Sequence, residues 1–456
     1  MIVRRQRQRL APFAIAMVLL SIFHQGYASG EILDDTFLDR WNQLRTGIRA
    51  AGIGLETVNT NDVLSTVSGG IRRGTDIDGD LDLLLTVDAE KLQGWKGGTF
   101  FLYGLGIYGN NPSQNVGDIQ GVSNIGGRND WKLFEAWYQQ NLFRERFSIL
   151  AGLYDVTSEF DVIRSSSELF VHGSFGTGPD LSLSGKNGLS TFPTTAVGVR
   201  VQGKFTENFT VRAAVMDGVP GDPNHPTGTH VNLREEDGVF AITEAAYYRF
   251  LVPEADEQSQ ERGRPSVIRR LTFRRLGRAA ELTYDGKYAF GAWGYTTSLN
   301  DLSQVDSAGN PVKRNGTYGL YALAEQMVYH ERGDPRQGLT LYTRVGMTDP
   351  QVNRFAYFLS SGFVYTGLIP GRNSDQTGFG IATSWSSSHF ETGSRNAGQP
   401  VTGTTNALEW THSVYLMPTV IFQPDFQYII NPGSNPSIRN AFVAGFRLEI
   451  HMNWFK

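Results

Sequence analysis

The chain has 456 residues, with 52 glycines, no cysteine, 40% hydrophobic and 12% aromatic content, and a formal net charge of −4. Without cysteine there is no disulfide framework and no thiolate metal site, and the acidic balance excludes nucleic-acid binding as the main role. The hydrophobic share is too low for a helical membrane protein, but it suits strands that turn every second residue to water.

The N-terminus predicts an export signal. Arg4, Arg5, Arg7 and Arg9 precede an apolar stretch, Ala11 to Phe23, that is short for a membrane span. Gly26-Tyr27-Ala28 is a small-x-small cleavage pattern, so residues 1–28 form the expected signal peptide, cleaved near Ala28. Residues 29–52 are expected as a periplasmic helical segment, because Phe37, Leu38, Trp41, Leu44 and Ile48 recur at helical spacing.

From Ile53 to the end the pattern changes to period two, and it predicts about sixteen strands near the length of a tilted membrane strand. In Trp131 to Leu142, Phe134, Ala136 and Tyr138 share one face, with Glu135, Trp137 and Gln139 opposite. In Phe147 to Tyr154, Ile149 and Ala151 alternate with Ser148 and Leu150. In Thr194 to Phe205, Val197, Val199 and Val201 alternate with Gly198, Arg200 and Gln202. The expected fold is all-β: an antiparallel transmembrane barrel over residues 53–456, preceded by the short helix.

Connection lengths alternate along the chain. Short links follow Leu142, Phe205, Tyr329 and Leu416; long polar links follow Thr60, Tyr108, Tyr154, Met216, Thr297 and Ser386. Short periplasmic turns opposite long outer loops are the expected barrel arrangement. By this count the link Leu251–Gly286, acidic and then strongly basic, is periplasmic although long. Asp76-Ile77-Asp78-Gly79-Asp80 resembles a short calcium loop but lacks the closing glutamate, so a turn between strands is expected, with no metal and no cofactor.

Several runs resemble the carbohydrate-selective porins of the OprB type. They include Val67-Ser68-Gly69-Gly70, Gly94-Trp95-Lys96-Gly97-Gly98, Gly117-Asp118-Ile119-Gln120-Gly121, Ser158-Glu159-Phe160, Phe192-Pro193-Thr194-Thr195 and Gly367-Leu368-Ile369-Pro370-Gly371-Arg372. Gln423-Pro424-Asp425-Phe426-Gln427 and the residues through Gly433 extend the match to nearly the end. The resemblance implies a sixteen-stranded outer-membrane barrel that passes sugars by diffusion through a narrow, charged constriction. Lys456, after the terminal Phe455, departs from the family pattern, as does the length of the Leu251–Gly286 link.

A sugar needs donors and acceptors together, which charged and amide side chains supply, and an aromatic face for its ring. The face assignments place Glu135, Trp137, Arg200, Gln202, Lys204, Arg212, Arg344, Glu409, Asp425 and Arg447 toward the lumen. The Gly- and Ser-rich excursion Asp155 to Pro193 carries Phe160, Leu169, Phe170 and Phe175, so it is expected to pack inside the barrel. Asp161, Arg164, Glu168 and His172 are its candidate constriction residues. Expected partners are carbohydrates, outer-membrane lipids and lipopolysaccharide, with a monomer or homotrimer as the assembly. Two alternatives stand beside this reading: a pore for anions or other small solutes, and an outer-membrane hydrolase using a Ser–His pair. No Gly-x-Ser-x-Gly pattern supports the hydrolase.

Overall fold

The computed structural model describes residues 35–250 and 284–455. The expected signal peptide, the body of the Leu251–Gly286 link and Lys456 lie outside the described residues. Helix α1 (Asp35–Ala50) leads into β1 (Ile53–Gly70), β2 (Gly74–Asp88), β3 (Gly98–Gly109), β4 (Asp130–Leu142), β5 (Phe147–Tyr154), β6 (Ala196–Lys204), β7 (Phe209–Asp217) and β8 (Val239–Arg249). The second half carries β9 (Gly286–Val305), β10 (Pro311–His330), β11 (Gly338–Thr348), β12 (Phe355–Thr366), β13 (Gln376–Ser386), β14 (Thr404–Met417), β15 (Val420–Ile430) and β16 (Arg439–Asn453). Every strand pairs with its sequence neighbours, and β1 closes antiparallel on β16, so the sheet has no open edge.

The closing seam is marked by charge. Asp62 of β1 stands opposite Arg447 of β16, and the guanidinium forks onto both carboxylate oxygens at 2.7 Å. Strand alternation sorts the two faces as expected: Val199, Val201, Phe426 and Tyr428 are exposed on the outside, while Arg200, Gln423, Asp425 and Gln427 are buried on the inside.

Three expectations about local structure are corrected. The stretch Asn61–Gly79 is not a long outer loop: β1 and β2 run through it, leaving residues 71–73 as the link. Asp76-Ile77-Asp78-Gly79-Asp80 is therefore strand, not turn, and Asp76, Asp78, Asp80 and Asp82 alternate onto the inner face. Likewise the link after Thr297 is mostly strand, because β9 and β10 continue to a tight hairpin at Asp306–Asn310. Beyond the bilayer the outer face need not be apolar, so the alternation that marks a strand fades while the ladder persists.

The third correction is at Phe134. Tyr103 pairs with Glu135 and Gly104 with Leu133, so Phe134 is the extra residue of a bulge. Its ring turns inward, 5.0 Å from the Tyr103 ring and 6.2 Å from Phe192, while Glu135 keeps its inward position.

With the β4–β5 turn in the periplasm, strand alternation puts the β9–β10 hairpin outside, so a cysteine at Ser307 should react with an impermeant maleimide on whole cells. A cysteine at Glu145 should react only after the outer membrane is opened. The reverse labelling would invert the barrel.

Candidate functional site

The link between β5 and β6 folds into the barrel and carries helices α2 (Arg164–Leu169) and α3 (Pro179–Ser182). Its apolar side chains Phe160, Leu169, Phe170, Phe175 and Leu181 are all buried. The wall makes room for them with glycines. A Cβ at Gly378 of β13 would stand 2.6 Å from Leu169 Cδ2 and 3.0 Å from Phe170 Cζ, and one at Gly380 would stand 2.6 Å from Phe175 Cε1. Phe170 and Phe175 also pack on each other at 4.5 Å.

Polar contacts fix the rest of the loop. Arg344 of β11 forks onto Asp161 at 2.9 and 3.0 Å, and its third nitrogen reaches Asp180 at 2.5 Å. Arg200 of β6 forks onto Glu159 at 2.7 and 3.0 Å and also donates to Gln139 and to Ser148. Tyr154 donates to the same Glu159 carboxylate. Burial opposes ionisation of Glu159, but the Arg200 and Arg212 guanidiniums outweigh it and hold the carboxyl below its usual range. For Asp161 the balance goes the other way: burial, with the Asp180 and Glu244 carboxylates adding to it, pushes the group up to about 6 against the pull of Arg344.

The remaining sequence candidates fall into distinct places. Glu135 accepts from Trp137 Nε1 at 2.9 Å, and Trp137 stacks on Phe101 at 4.8 Å. Arg212 donates to Gln202 and Tyr248 and lies 3.5 Å from Glu244. Lys204 is half-buried at the end of β6. Glu409 of β14 accepts from the backbone N–H groups of Val171 and His172, and Asp425 accepts from Gln427. Arg447 adds Asn124, from the β3–β4 link, to its pairing with Asp62. Arg164 lies over the Tyr284 ring at 4.6 Å, Glu168 is half-buried on α2, and His172 Nε2 is 3.4 Å from Asp118. Thus the inward arginines Arg200, Arg344 and Arg447 are each matched by a carboxylate, while Glu409 of the wall is tied to the loop and Asp161 of the loop to the wall.

Sequence reasoning passed over several residues of this network. Glu244 and Glu325 sit at inward positions of expected strands, under the same rule that selected Glu409. Glu159 lay inside a run that resembles the family, Asp62 and Asp78 lay in a segment expected to be loop, and Asp80 and Asp82 lay at the start of an expected strand.

Among the described residues, His389 gathers a serine and an aspartate, but not in the arrangement of a hydrolytic relay. Ser303 Oγ and Asp301 Oδ1 lie 3.0 and 2.9 Å from His389, both on the same nitrogen, Nδ1. A base must hold its orienting carboxylate on one nitrogen and its nucleophile on the other. Asp301 is further occupied by the fork of Arg314.

A closed sixteen-stranded barrel, apolar outside and charged inside, with one long link folded into the lumen, is the architecture of an outer-membrane porin. The model of the carbohydrate-selective porin, OprB family, matches residues 72–452, and the chain belongs to that family. It is similar to Porin B of Pseudomonas aeruginosa, 22% identical over 442 residues that cover 90% of each chain. The high-pH structure of Pseudomonas putida OprB superposes with a TM-score of 0.75 at 20% identity, covering 90% of this chain and 97% of that one. The low-pH structure of the same protein gives 0.54 at 17% identity, covering 90% and 96%. The protein is an outer-membrane carbohydrate channel.

Two outcomes follow from this geometry. Gly380→Val should displace Phe175, losing about 2–3 kcal/mol of its burial, and single-channel recordings should show a changed conductance while the barrel keeps its heat-resistant mobility in detergent gels. As pH falls through about 6, Asp161 takes up a proton and one negative charge leaves the surroundings of Arg344. Reversal potentials in a salt gradient should therefore move toward anion preference between pH 7 and pH 5, and Asp161→Asn should remove that part of the shift.

Proposed function

We propose that the channel passes monosaccharides and short oligosaccharides passively, past a constriction set by the 155–195 loop. The carrying observation is the loop itself. It is bound to the wall through Asp161, Glu159 and its buried aromatic side chains, all within the lumen. A loop so held narrows the passage to a fixed size, which selects solutes by dimension before chemistry.

The chemistry beside it suits sugars. Arg164, Ser167 and Glu168 on α2 are half-exposed, and Gln202, Lys204 and Arg212 are half-buried along β6 and β7. Together they offer donors and acceptors in one passage, as hydroxyl groups require. Glu135, Trp137, Arg200, Arg344, Glu409, Asp425 and Arg447, with Asp161 and His172, support this lining by fixing its shape and charge. The matched arginines weigh against a dedicated anion pore, which needs uncompensated positive charge along the path. We read the chain as a channel with no hydrolytic activity of its own. The exposed apolar outer band fits contact with outer-membrane lipid.

Proteoliposome swelling with sugars of graded size tests the reading. Deleting Ser165–Leu189 should raise conductance and weaken discrimination by size; a deletion channel identical to wild type would remove the loop from the constriction. Arg200→Ala should act on the same loop, because it leaves Glu159 buried without its partner, a cost of about 3–5 kcal/mol to the docked state. The expected reading is a larger, noisier conductance rather than a simple change of ion preference.

A further inference from the structure

Helix α2 has no cap of its own. Its N-cap residue is Ile163, whose side chain offers no hydrogen bond to the first turn, so those N–H groups must find partners elsewhere. The barrel wall supplies them. Glu325 of β10 accepts from Arg164 N and Ser165 N, both at 3.0 Å, one on each carboxylate oxygen. At the other end of the helix, Gln423 of β15 donates to the Leu169 carbonyl at 2.6 Å. Directly beyond it, Glu409 takes Val171 N at 2.6 Å and His172 N at 2.9 Å. Upstream, Glu244 of β8 accepts from Asp161 N at 2.9 Å, and Lys287 of β9 donates to the Val162 carbonyl at 2.8 Å.

We propose that Glu325, Glu409 and Gln423 are positioning residues that suspend α2 across the lumen by its main chain and so set the aperture. This rests on the reading that the 155–195 loop is the constriction. The wall grips backbone atoms as well as Leu169, so the helix's height and direction do not depend on its half-exposed side chains. Changes at the half-exposed positions Arg164, Ser167 and Glu168 can then alter the lining without moving the helix. A carboxylate holds two adjacent N–H groups at once, and it also opposes the positive end of the helix dipole at Glu325. Glutamine in its place keeps the shape but has a single acceptor oxygen, so it can hold one N–H well and not two.

The test uses the full-length protein in planar bilayers and in proteoliposomes. Glu325→Ala and Glu409→Ala should each raise conductance and lose discrimination between a monosaccharide and a trisaccharide, with heat-resistant gel mobility unchanged. Glu325→Gln should fall between wild type and Glu325→Ala. In the Ser165–Leu189 deletion background Glu325→Ala should add nothing, since its effect passes through the loop. If either alanine variant fails to assemble, Glu325→Gln and Glu409→Gln carry the comparison. Alanine or glutamine variants that match wild type, beside a deletion that differs from it, overturn the positioning role and leave the loop as the constriction. An equal effect of Glu325→Ala with and without the loop also overturns it. A deletion channel identical to wild type defeats the underlying reading as well.

Discussion

A polypeptide segment inside a barrel must pair its backbone without help from the wall's backbone. Most wall N–H and carbonyl groups in the closed sheet are committed to their strand neighbours, so inward side chains do most of the reaching; the Phe134 carbonyl, released at the bulge, is an exception and accepts from Thr195. A carboxylate is well suited to the task because its two oxygens accept from successive N–H groups. Glu244, Glu325 and Glu409 occupy such positions on three different strands, and between them they take up N–H groups at residues 161, 164, 165, 171 and 172. Inward acid in this wall is thus a requirement of the folded loop as well as a feature of the passage.

The same economy governs the cations. Arg200, Arg344 and Arg447 reach across to Glu159, to Asp161 and Asp180, and to Asp62. Each guanidinium is buried with its partner, where an unmatched charge would be costly. The passage therefore carries mixed polarity at close range. Paired groups of this kind present donors and acceptors together, as hydroxyl groups require.

Much of this was legible in the chain. Lipid demands an unbroken apolar outer face, so strands such as β15 and β16 announce themselves by alternation, and the sixteen strands were countable. Their ends were not legible where the sheet leaves the bilayer, as in β1, β2, β9 and β10. There the outer face is free to be polar, and a run such as Asp76 to Asp80 carries turn-forming residues with low strand propensity. Phe134 was misplaced because a bulge inserts one residue and shifts the alternation locally. The loop's burial could be inferred from its phenylalanines, but its partners could not. Arg344 and Asp161 are separated by 183 residues, and Glu409 reaches back 237 residues to His172; no local pattern encodes such distances.

Those separations also impose a chronology. The 155–195 segment leaves the ribosome before any of β10, β11, β14 or β15, which hold it, and the seam between Asp62 and Arg447 spans 385 residues. Contacts so distant in sequence form late. The N–H groups of Arg164, Ser165, Val171 and His172 can therefore meet Glu325 and Glu409 only once strands that follow them in the chain are in place. The fit of this segment in the lumen is therefore settled by strands that come after it in the chain.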